Sequence, residues 1–389
     1  MSQANRAASP DAAPMLGPNA SLIGERDARS RLATPALLID IETLDANLAK
    51  MQALCDRAGV ALRPHAKAHK CPEIARRQLA AGATGICVAT PGEAECFAEA
   101  GIDDILLTST FATDSACRRV VAVMAQTRLV CVVDHPSIVA TLGALATRAG
   151  IEAEVLIDVD LFRHRAGVAS PRDAAELARV IEATEGVRLA GIQGYAGHLS
   201  HCREVGERRR GAEQARAMLS GMRDAIEDAS GRKADWITGG STGALLQEME
   251  GVYTEFQCGS YALMDTEYAA VDPDGSGQPL FPPSLFLAAA VTSANHPGLA
   301  TTDGGEKRLA SKYGVPPRVM RGAPPGTEYR ATSDEHGQLL LPEGEWVELG
   351  ALVEVEVPHC DPTVNLFDHI HVVRGETLEA IWPIEARGC

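Results

Sequence analysis

Two lysines and two histidines lie within eight residues, from Arg63 to Lys70, directly after the apolar run 60–62. A helix-like run, 72–81, follows, so the octet is expected in a loop between a strand and a helix. In βα-repeat proteins such loops carry the catalytic groups. The amine of Lys67 or Lys70 could therefore form a Schiff base with a carbonyl compound. Taken alone, a cluster of charges is more often a solvated surface loop.

Two glycine-rich loops have the composition of a phosphate-binding site. One contains Gly239-Gly240-Ser241-Thr242-Gly243, and the other contains Cys258-Gly259-Ser260-Tyr261. Glycine lets backbone N–H groups approach a phosphate, and the serine and threonine hydroxyls are further donors. Most glycine-rich turns are only turns. Their expected place after the seventh and eighth strands of a barrel, where phosphate often binds, favours a phosphate site.

A lysine amine together with a phosphate loop suits pyridoxal 5'-phosphate (PLP), whose aldehyde reacts with a lysine. Arg165, expected after the fifth strand, could face the phenolic oxygen of PLP, or it could form a salt bridge with Asp158 or Asp160. His65 and Tyr195 also end predicted strands. Tyr195 could equally be an ordinary core residue.

A second candidate site is the segment Pro358-His359-Cys360-Asp361-Pro362-Thr363. In an extended segment the i, i+2 spacing would place His359 and Asp361 on one side and Cys360 on the other. Imidazole and carboxylate are both metal ligands, and a mixed set suits Mn²⁺, Mg²⁺ or Zn²⁺. Two ligands are an incomplete site, so a polar turn is the alternative.

Short apolar runs alternate with amphipathic helical patterns from residue 61 onward. Strands are expected at 61–66, 85–90, 104–108, 128–134, 152–160, 188–195, 235–240 and 254–260. Helices are expected at 72–82, 91–100, 113–125, 136–149, 171–184 and 203–229. Continuous apolar strands indicate a parallel sheet covered on both faces, and eight of them can close a (β/α)₈ barrel. An open doubly wound sheet would alternate in the same way.

The pattern changes beyond residue 270, where turns separate short strand-like runs. These runs are 285–291, 300–302, 328–331, 346–357, 369–373 and 380–384. The sequence therefore predicts an α/β protein with a TIM-type (β/α)₈ barrel and a mainly antiparallel C-terminal β-domain. The expected division is a mobile leader at 1–31, a barrel at 32–272 and a β-domain at 273–389.

Composition limits the possible partners. The chain has 389 residues, 46% of them hydrophobic, and a formal net charge of −16, which argues against nucleic-acid binding. No apolar run approaches the ~20 residues of a membrane span. The ten cysteines form no C-x-x-C pair. Scattered cysteines of this kind indicate reduced thiols and a cytoplasmic enzyme.

The ordered motifs resemble those of D-threonine aldolases, 3-hydroxy-D-aspartate aldolases and D-serine dehydratases, which are PLP enzymes of the alanine-racemase-like fold type. The resemblance runs from about residue 33 to Arg387. The shared motifs are Thr34-Pro35, Arg63-Pro64-His65-x-Lys67-x-His69-Lys70, Arg165-x-Gly167-Val168, Gln193-x-Tyr195-x-Gly197, Gly239-Gly240-x-Thr242-Gly243, Gln257-x-Gly259-Ser260-Tyr261-x-x-Met264-Asp265, Ser333-Asp334-Glu335-His336-Gly337 and His359-x-Asp361-Pro362-Thr363.

The resemblance implies that Lys67, rather than Lys70, holds PLP, with Arg165 facing the phenolic oxygen and Tyr195 the pyridine nitrogen. The phosphate would be held by Gly240, Thr242, Gly259, Ser260 and Tyr261. The resemblance also implies that His359 and Asp361 bind a divalent metal, typically Mn²⁺. In the similar dehydratases a cysteine stands where this chain has Asp361, which favours an aldolase.

The implied reaction is metal-assisted retro-aldol cleavage of a β-hydroxy-D-amino acid to glycine and an aldehyde. His201 or a metal-bound hydroxide would take the hydroxyl proton. The alternatives are a dehydratase of D-serine or 3-hydroxy-D-aspartate and a non-catalytic PLP-binding protein. A homodimer is expected from the family. Departures from the family pattern, such as Ala89-Thr90-Pro91 and Phe162-Arg163-His164, make the side chain of the substrate uncertain.

Overall fold

The computed structural model describes residues 16–389. The described chain forms two compact units, one of residues 45–282 with 388–389 and one of residues 16–44 with 283–387. Its first strand is β1 (Ala36–Asp40), and helix α1 (Ile41–Ala58) follows. No helix among residues 16–389 has the length and apolar character needed to cross a membrane.

Eight parallel strands form the sheet of the first unit. They are β2 (Ala61–Leu62), β3 (Ile86–Val88), β4 (Asp104–Leu107), β5 (Arg128–Val133), β6 (Ala153–Val159), β7 (Val187–Gly194), β8 (Trp236–Gly239) and β9 (Glu255–Phe256). Their order is β2-β9-β8-β7-β6-β5-β4-β3. A parallel bridge between His65 and Cys87 joins the two outer strands, so the sheet closes into the predicted barrel.

The helices of this unit follow the strands in alternation. They are α2 (Pro72–Ala80), α3 (Pro91–Glu99), α4 (Asp114–Met124), α5 (Pro136–Ala149), α6 (Pro171–Ala183), α7 (Val205–Ser230) and the short α8 (Leu245–Glu248) and α9 (Thr266–Ala269). Several begin at a proline that follows a capping side chain, as where Thr90 accepts a bond from the Glu93 N–H before α3. Proline loses no hydrogen bond in the first turn, so these starts are well defined by sequence.

The second unit is built on a nine-stranded, mainly antiparallel sheet. Besides β1 it contains β10 (Leu285–His296), β11 (Leu299–Thr302), β12 (Arg318–Arg321), β13 (Glu328–Ala331), β14 (Gly337–Leu340), β15 (Leu352–Glu356), β16 (His369–Arg374), β17 (Thr377–Pro383) and helix α10 (Cys360–Val364). The long strand β10 pairs with both β11 and β15 and so closes a ring β10-β11-β14-β13-β12-β15. Strands β1, β16 and β17 extend the sheet from β10.

The predicted boundary between a leader (1–31) and the barrel (from residue 32) does not match the structure. Strand β1 pairs with β10 and β16, so it belongs to the β-domain and not to the barrel. Residues 16–31, predicted as part of a mobile leader, include two 3₁₀ turns and the buried Arg29, whose Nε lies 2.6 Å from Glu354 Oε1. Ala28 also belongs to a buried apolar cluster of the β-domain, against which Leu16 and Leu22 pack, so this segment is held by apolar contacts as well as by the ion pair. Residues 1–15 of the predicted leader lie outside the described residues.

Candidate active site

Lys67 lies in a 3₁₀ turn, Ala66–Ala68, shortly after β2. Its side chain is half-buried, and its Nζ is 6.0 Å from the centroid of the Tyr195 ring. The guanidinium carbon of Arg165 is 5.7 Å from the same centroid. Tyr195 is itself held by a hydrogen bond between its hydroxyl and Ser200 Oγ, at 3.1 Å. Three strand-end loops therefore bring an amine, a guanidinium and an aromatic ring together.

Lys70, the other lysine of the octet, is in a different environment. It is buried, and its Nζ lies 2.7 Å from Oε1 of Glu93, which is also buried. The same carboxylate accepts a hydrogen bond from the backbone N–H of Ala89. An amine whose nitrogen is held by a buried carboxylate is sterically unavailable for attack on a carbonyl carbon. This geometry favours Lys67 over Lys70 as the reactive amine.

His65 supports the loop that carries Lys67. Its Nδ1 accepts a bond from the Lys67 backbone N–H at 3.4 Å, and its Nε2 lies 3.0 Å from Thr108 Oγ1. Because Thr108 Oγ1 donates to Val88 O, the network assigns the ring proton to Nε2. Burial, with smaller contributions from the charges of Lys67, His69 and Arg165, lowers the pKa of His65 well below its usual value. The imidazole is therefore neutral.

Arg165 is exposed and, among residues 16–389, forms no ion pair, so the predicted alternative of a salt bridge with Asp158 or Asp160 is wrong. Asp158 instead accepts a bond from Gln193 Nε2 at 2.8 Å, and Asp160 lies 2.8 Å from His164 Nδ1. Burial raises the pKa of Asp158 to about 7, and the hydrogen bond from Gln193 and the charge of Arg165 only partly oppose this. The guanidinium of Arg165 therefore remains available to an anionic group.

The two glycine-rich loops adjoin each other, because the backbone N–H of Tyr261 donates to Thr242 Oγ1 at 3.2 Å. Gly240 has φ +82°, and a Cβ there would lie 2.6 Å from the Phe256 ring. A Cβ at Gly259 would lie 2.6 Å from His65 O. Only glycine lets these two backbones come so close to the barrel, so the loops form a narrow cradle of backbone groups.

Two residues of the predicted phosphate site lie differently from expectation. The backbone N–H of Ser241 already donates to Glu248 Oε2 at 2.8 Å, and the Ser241 hydroxyl accepts from Ala244 N–H. The phenol of Tyr261 is buried with Gln78 Nε2 3.5 Å from its hydroxyl, and burial raises its pKa. Tyr261 therefore offers the loop its backbone rather than its hydroxyl.

His201 follows β7 and is half-buried beside two residues of α9. Its Nδ1 lies 3.5 Å from Oε1 of the buried Glu267, and its ring centroid is 4.9 Å from that of Tyr268. A carboxylate at this distance stabilises the imidazolium that forms when a histidine accepts a proton. Sequence analysis missed Glu267 and Tyr268, since both belong to a short helix with no distinctive spacing.

In the other unit, His359 and Asp361 lie at the start of helix α10 rather than in an extended segment. The expectation that extended i, i+2 geometry places them on one side is therefore wrong, because the helix begins at Cys360. His359 is buried with its ring 5.2 Å from that of Tyr313. The Cys360 thiol, expected to point away, donates to Asp361 Oδ1 at 3.4 Å. An imidazole and a carboxylate at one helix start still suit a divalent metal.

Comparison with known proteins adds to these observations. Residues 39–267 match the family model described as alanine racemase, N-terminal domain, and residues 284–373 match that of a putative serine dehydratase domain. A D-threonine aldolase from Arthrobacter is 40% identical over 93% of this chain and 94% of its own length. The chain belongs to this aldolase family.

Two further members of the D-threonine aldolase family support the assignment. A 3-hydroxy-D-aspartate aldolase from Paracoccus denitrificans is 32% identical over 92% of this chain and 93% of its own length. The crystal structure of D-threonine aldolase from Filomicrobium marinum superimposes with a TM-score of 0.88 at 34% identity, covering 92% of this chain and 96% of the other. The predicted family and the predicted barrel with a β-domain are confirmed.

Proposed function

We propose that this protein is a PLP-dependent, metal-assisted carbon–carbon lyase that cleaves a β-hydroxy-D-amino acid to glycine and an aldehyde. Membership of the aldolase family supports this reaction. The observation that carries it is the contrast between the two lysines. The half-buried amine of Lys67 lies near Arg165 and Tyr195, whereas Lys70 is held by Glu93.

The barrel residues fit PLP by their chemistry. Lys67 would bind the aldehyde carbon, and the exposed Arg165 would pair with the phenolic oxygen. The cradle at 239–243 and 258–261 would hold the phosphate through Gly240, Thr242, Gly259 and Ser260, with the Tyr261 N–H positioning the Thr242 hydroxyl, and Tyr195 would face the ring nitrogen. When bound, PLP supplies an electron sink for the bond that breaks. The neutral His65 would fix the Lys67 loop without adding charge.

His201 would be the general base of the cleavage. It would accept the proton of the substrate β-hydroxyl, and the carboxylate of Glu267, 3.5 Å from Nδ1, would stabilise the resulting imidazolium. The amine of Lys67 would supply the proton that the Cα of the glycine product receives. Both assignments use groups whose side chains are at least half-buried, where solvent competes less for the proton.

His359 and Asp361 would bind the divalent metal, for which we propose Mn²⁺, with Mg²⁺ and Zn²⁺ as alternatives. A metal ion bound there would supply a Lewis acid that lowers the pKa of a hydroxyl group. The carboxylate of Asp361, in place of the cysteine implied for dehydratases, supports cleavage over dehydration. We further propose a cytoplasmic homodimer that acts on small β-hydroxy-D-amino acids and has no nucleic-acid or membrane partner.

Product analysis with D-threonine, D-phenylserine, D-3-hydroxyaspartate and D-serine tests the proposal. Glycine with an aldehyde is the expected outcome, and a 2-oxo acid with ammonia would instead identify a dehydratase. Failure to turn over any of the four while PLP stays bound would favour a non-catalytic PLP-binding protein. Treatment with a chelator should stop turnover and leave the yellow colour of bound PLP, whereas undiminished activity would exclude the metal.

A further inference from the structure

A buried carboxyl group lies directly behind the proposed phosphate cradle. Glu248, the last residue of α8, is 3% exposed, and its Oε2 accepts the backbone N–H of Ser241 at 2.8 Å. A Cβ at Gly240 would lie 3.4 Å from the same oxygen. The other oxygen, Oε1, is buried without a hydrogen-bond partner in the part of the chain that the structure describes. The carboxyl group therefore contacts the cradle from its protein side.

The surroundings of Glu248 offer little to stabilise a negative charge. The groups that face it are the Ser241 N–H and hydroxyl, the phenol of Tyr253 and the thiol of Cys258. The Tyr253 hydroxyl is committed to Gly194 O, to which it donates at 3.0 Å. Burial raises the pKa of both Tyr253 and Cys258 far above neutrality, so neither titrates in the physiological range.

Glu248 itself does titrate in that range. Burial raises its pKa to about 7, and only the hydrogen bonds from Ser241 oppose the shift. A buried carboxylate beside a second negative charge is driven further toward its protonated form. A dianionic phosphate in the cradle would be such a charge, separated from Glu248 by little more than the Gly240–Ser241 backbone.

We propose that Glu248 must carry a proton when the cradle holds a dianionic phosphate, so that binding of the phosphorylated cofactor takes up one proton at this carboxyl group. The proton comes from solvent and forms the O–H bond of a neutral carboxylic acid, and no other bond changes. This inference rests on the proposed function, since it requires phosphate at residues 239–243. It assigns Glu248 as a positioning residue that couples cofactor affinity to pH.

The direction of the coupling follows from proton linkage. Above the pKa of the free carboxyl group, binding must include its protonation, so affinity for the phosphate group falls by up to about tenfold for each pH unit. Below that pKa, affinity is independent of this group. The cofactor phosphate is already mostly dianionic above about pH 6, so its own ionisation produces no such fall.

Comparing the binding of PLP with that of pyridoxal, which lacks the phosphate, isolates the pH dependence that arises from the phosphate group. The ratio of their dissociation constants, measured on the full-length apoprotein from about pH 7 to about pH 9, removes the pH dependence that both share through Lys67. In the wild type we expect the preference for PLP to fall by about 10- to 100-fold over this range. Glu248→Gln should abolish the fall. Glu250→Gln, a change at an exposed neighbouring carboxylate, should leave it unchanged.

Calorimetry of the wild type in buffers of different ionisation enthalpy gives a readout that needs no variant. At about pH 8 it should report close to one more proton taken up with PLP than with pyridoxal. Equal pH slopes in wild type and Glu248→Gln, or no phosphate-dependent proton uptake, would overturn the proposal for Glu248. The absence of any preference for PLP over pyridoxal would instead refute the phosphate cradle itself.

Discussion

The two ends of the eight-stranded barrel use charged residues in opposite ways. At the amino ends, Asp104 and Glu255, the first residues of β4 and β9, both pair with the buried Arg63, at 2.7 Å and 3.0 Å. The indole of Trp236 donates to Glu255 at 3.0 Å, and Arg128 pairs with Asp104 at 2.8 Å. We call these five residues the amino-end cluster. Each of its charges has an opposite charge within the cluster.

The carboxyl-end cluster, which we define as Lys67, Arg165 and Tyr195, places two cationic groups near one aromatic ring. Charges that satisfy one another contribute to stability and are unavailable to a ligand. The guanidinium of Arg165, which forms no ion pair among residues 16–389, can be neutralised by an anionic cofactor bound at the carboxyl ends of the barrel strands. The difference between the ion-paired Arg63 and Arg165, unpaired within the described chain, teaches that pairing, and not the number of charges, distinguishes the structural end of the barrel from the candidate active site.

The largest expected effect comes from the carboxyl-end cluster. Lys67→Ala should remove the yellow colour of bound PLP and lower turnover by at least about a thousandfold, since no other amine in the cluster can replace it. Absorbance spectra and glycine release from D-threonine measure both. Lys70→Ala is the matched control and should keep the colour. Full colour in the Lys67 variant would show that the nucleophile is wrongly assigned.

Glu255→Ala should break the amino-end cluster and lower the free energy of unfolding by about 3–5 kcal/mol, because it leaves the buried Arg63 with only Asp104. Turnover per folded molecule should stay unchanged. Urea denaturation gives the stability change, and Glu152→Ala, in an exposed pair with Arg188, is the control at about 0–1 kcal/mol. A loss of activity without a loss of stability would contradict the structural role assigned to the amino-end cluster.

Arg165→Ala should weaken cofactor binding and leave stability almost unchanged, the reverse of the result expected for Glu255→Ala. Because Arg165 is exposed and forms no ion pair among the described residues, stability should change by less than about 0.5 kcal/mol. Loss of a charged hydrogen bond should weaken PLP binding by about 10- to 100-fold. Equilibrium titration with PLP measures this change. Unaltered affinity together with reduced stability would place Arg165 in a structural role.

The smallest expected effect is on the pH dependence of stability, to which His65 at the carboxyl end of the barrel contributes. The pKa of His65 is lowered in the folded state, so below its unfolded value of about 6.5 the unfolded chain binds a proton that the folded chain does not. Stability is therefore present above about pH 6.5 and is lost on acidification, by up to about 1.4 kcal/mol per pH unit. His65→Gln should reduce this slope, as followed by denaturant unfolding. An identical slope would mean that other groups, such as His371, cause it.

The barrel could be predicted closely from sequence. Most of the eight strands were found because both their faces are buried, so that they read as short apolar runs, as in Leu129–Val133. The helix starts at Pro91, Pro136 and Pro171 were visible because proline and a preceding capping residue mark them locally.

The parts of the fold and of the candidate site that were not predicted depend on contacts between residues far apart in the sequence. Nothing in Ala36–Asp40 reveals that it pairs with β10 and β16 instead of joining the barrel. Strands β12 and β14 have only four residues each and little apolar periodicity. The commitment of Ser241 to Glu248 and the pairing of Lys70 with Glu93 also required the fold. The role of Lys67 as the cofactor lysine stays a prediction.

Reduction of the PLP-loaded protein with borohydride, followed by mass mapping of its peptides, tests that prediction most directly. The reagent fixes the cofactor to whichever lysine holds it. The contrast between the half-buried Lys67 and the ion-paired Lys70 predicts that the label is found on Lys67. A label on Lys70 would contradict the assignment of the active site.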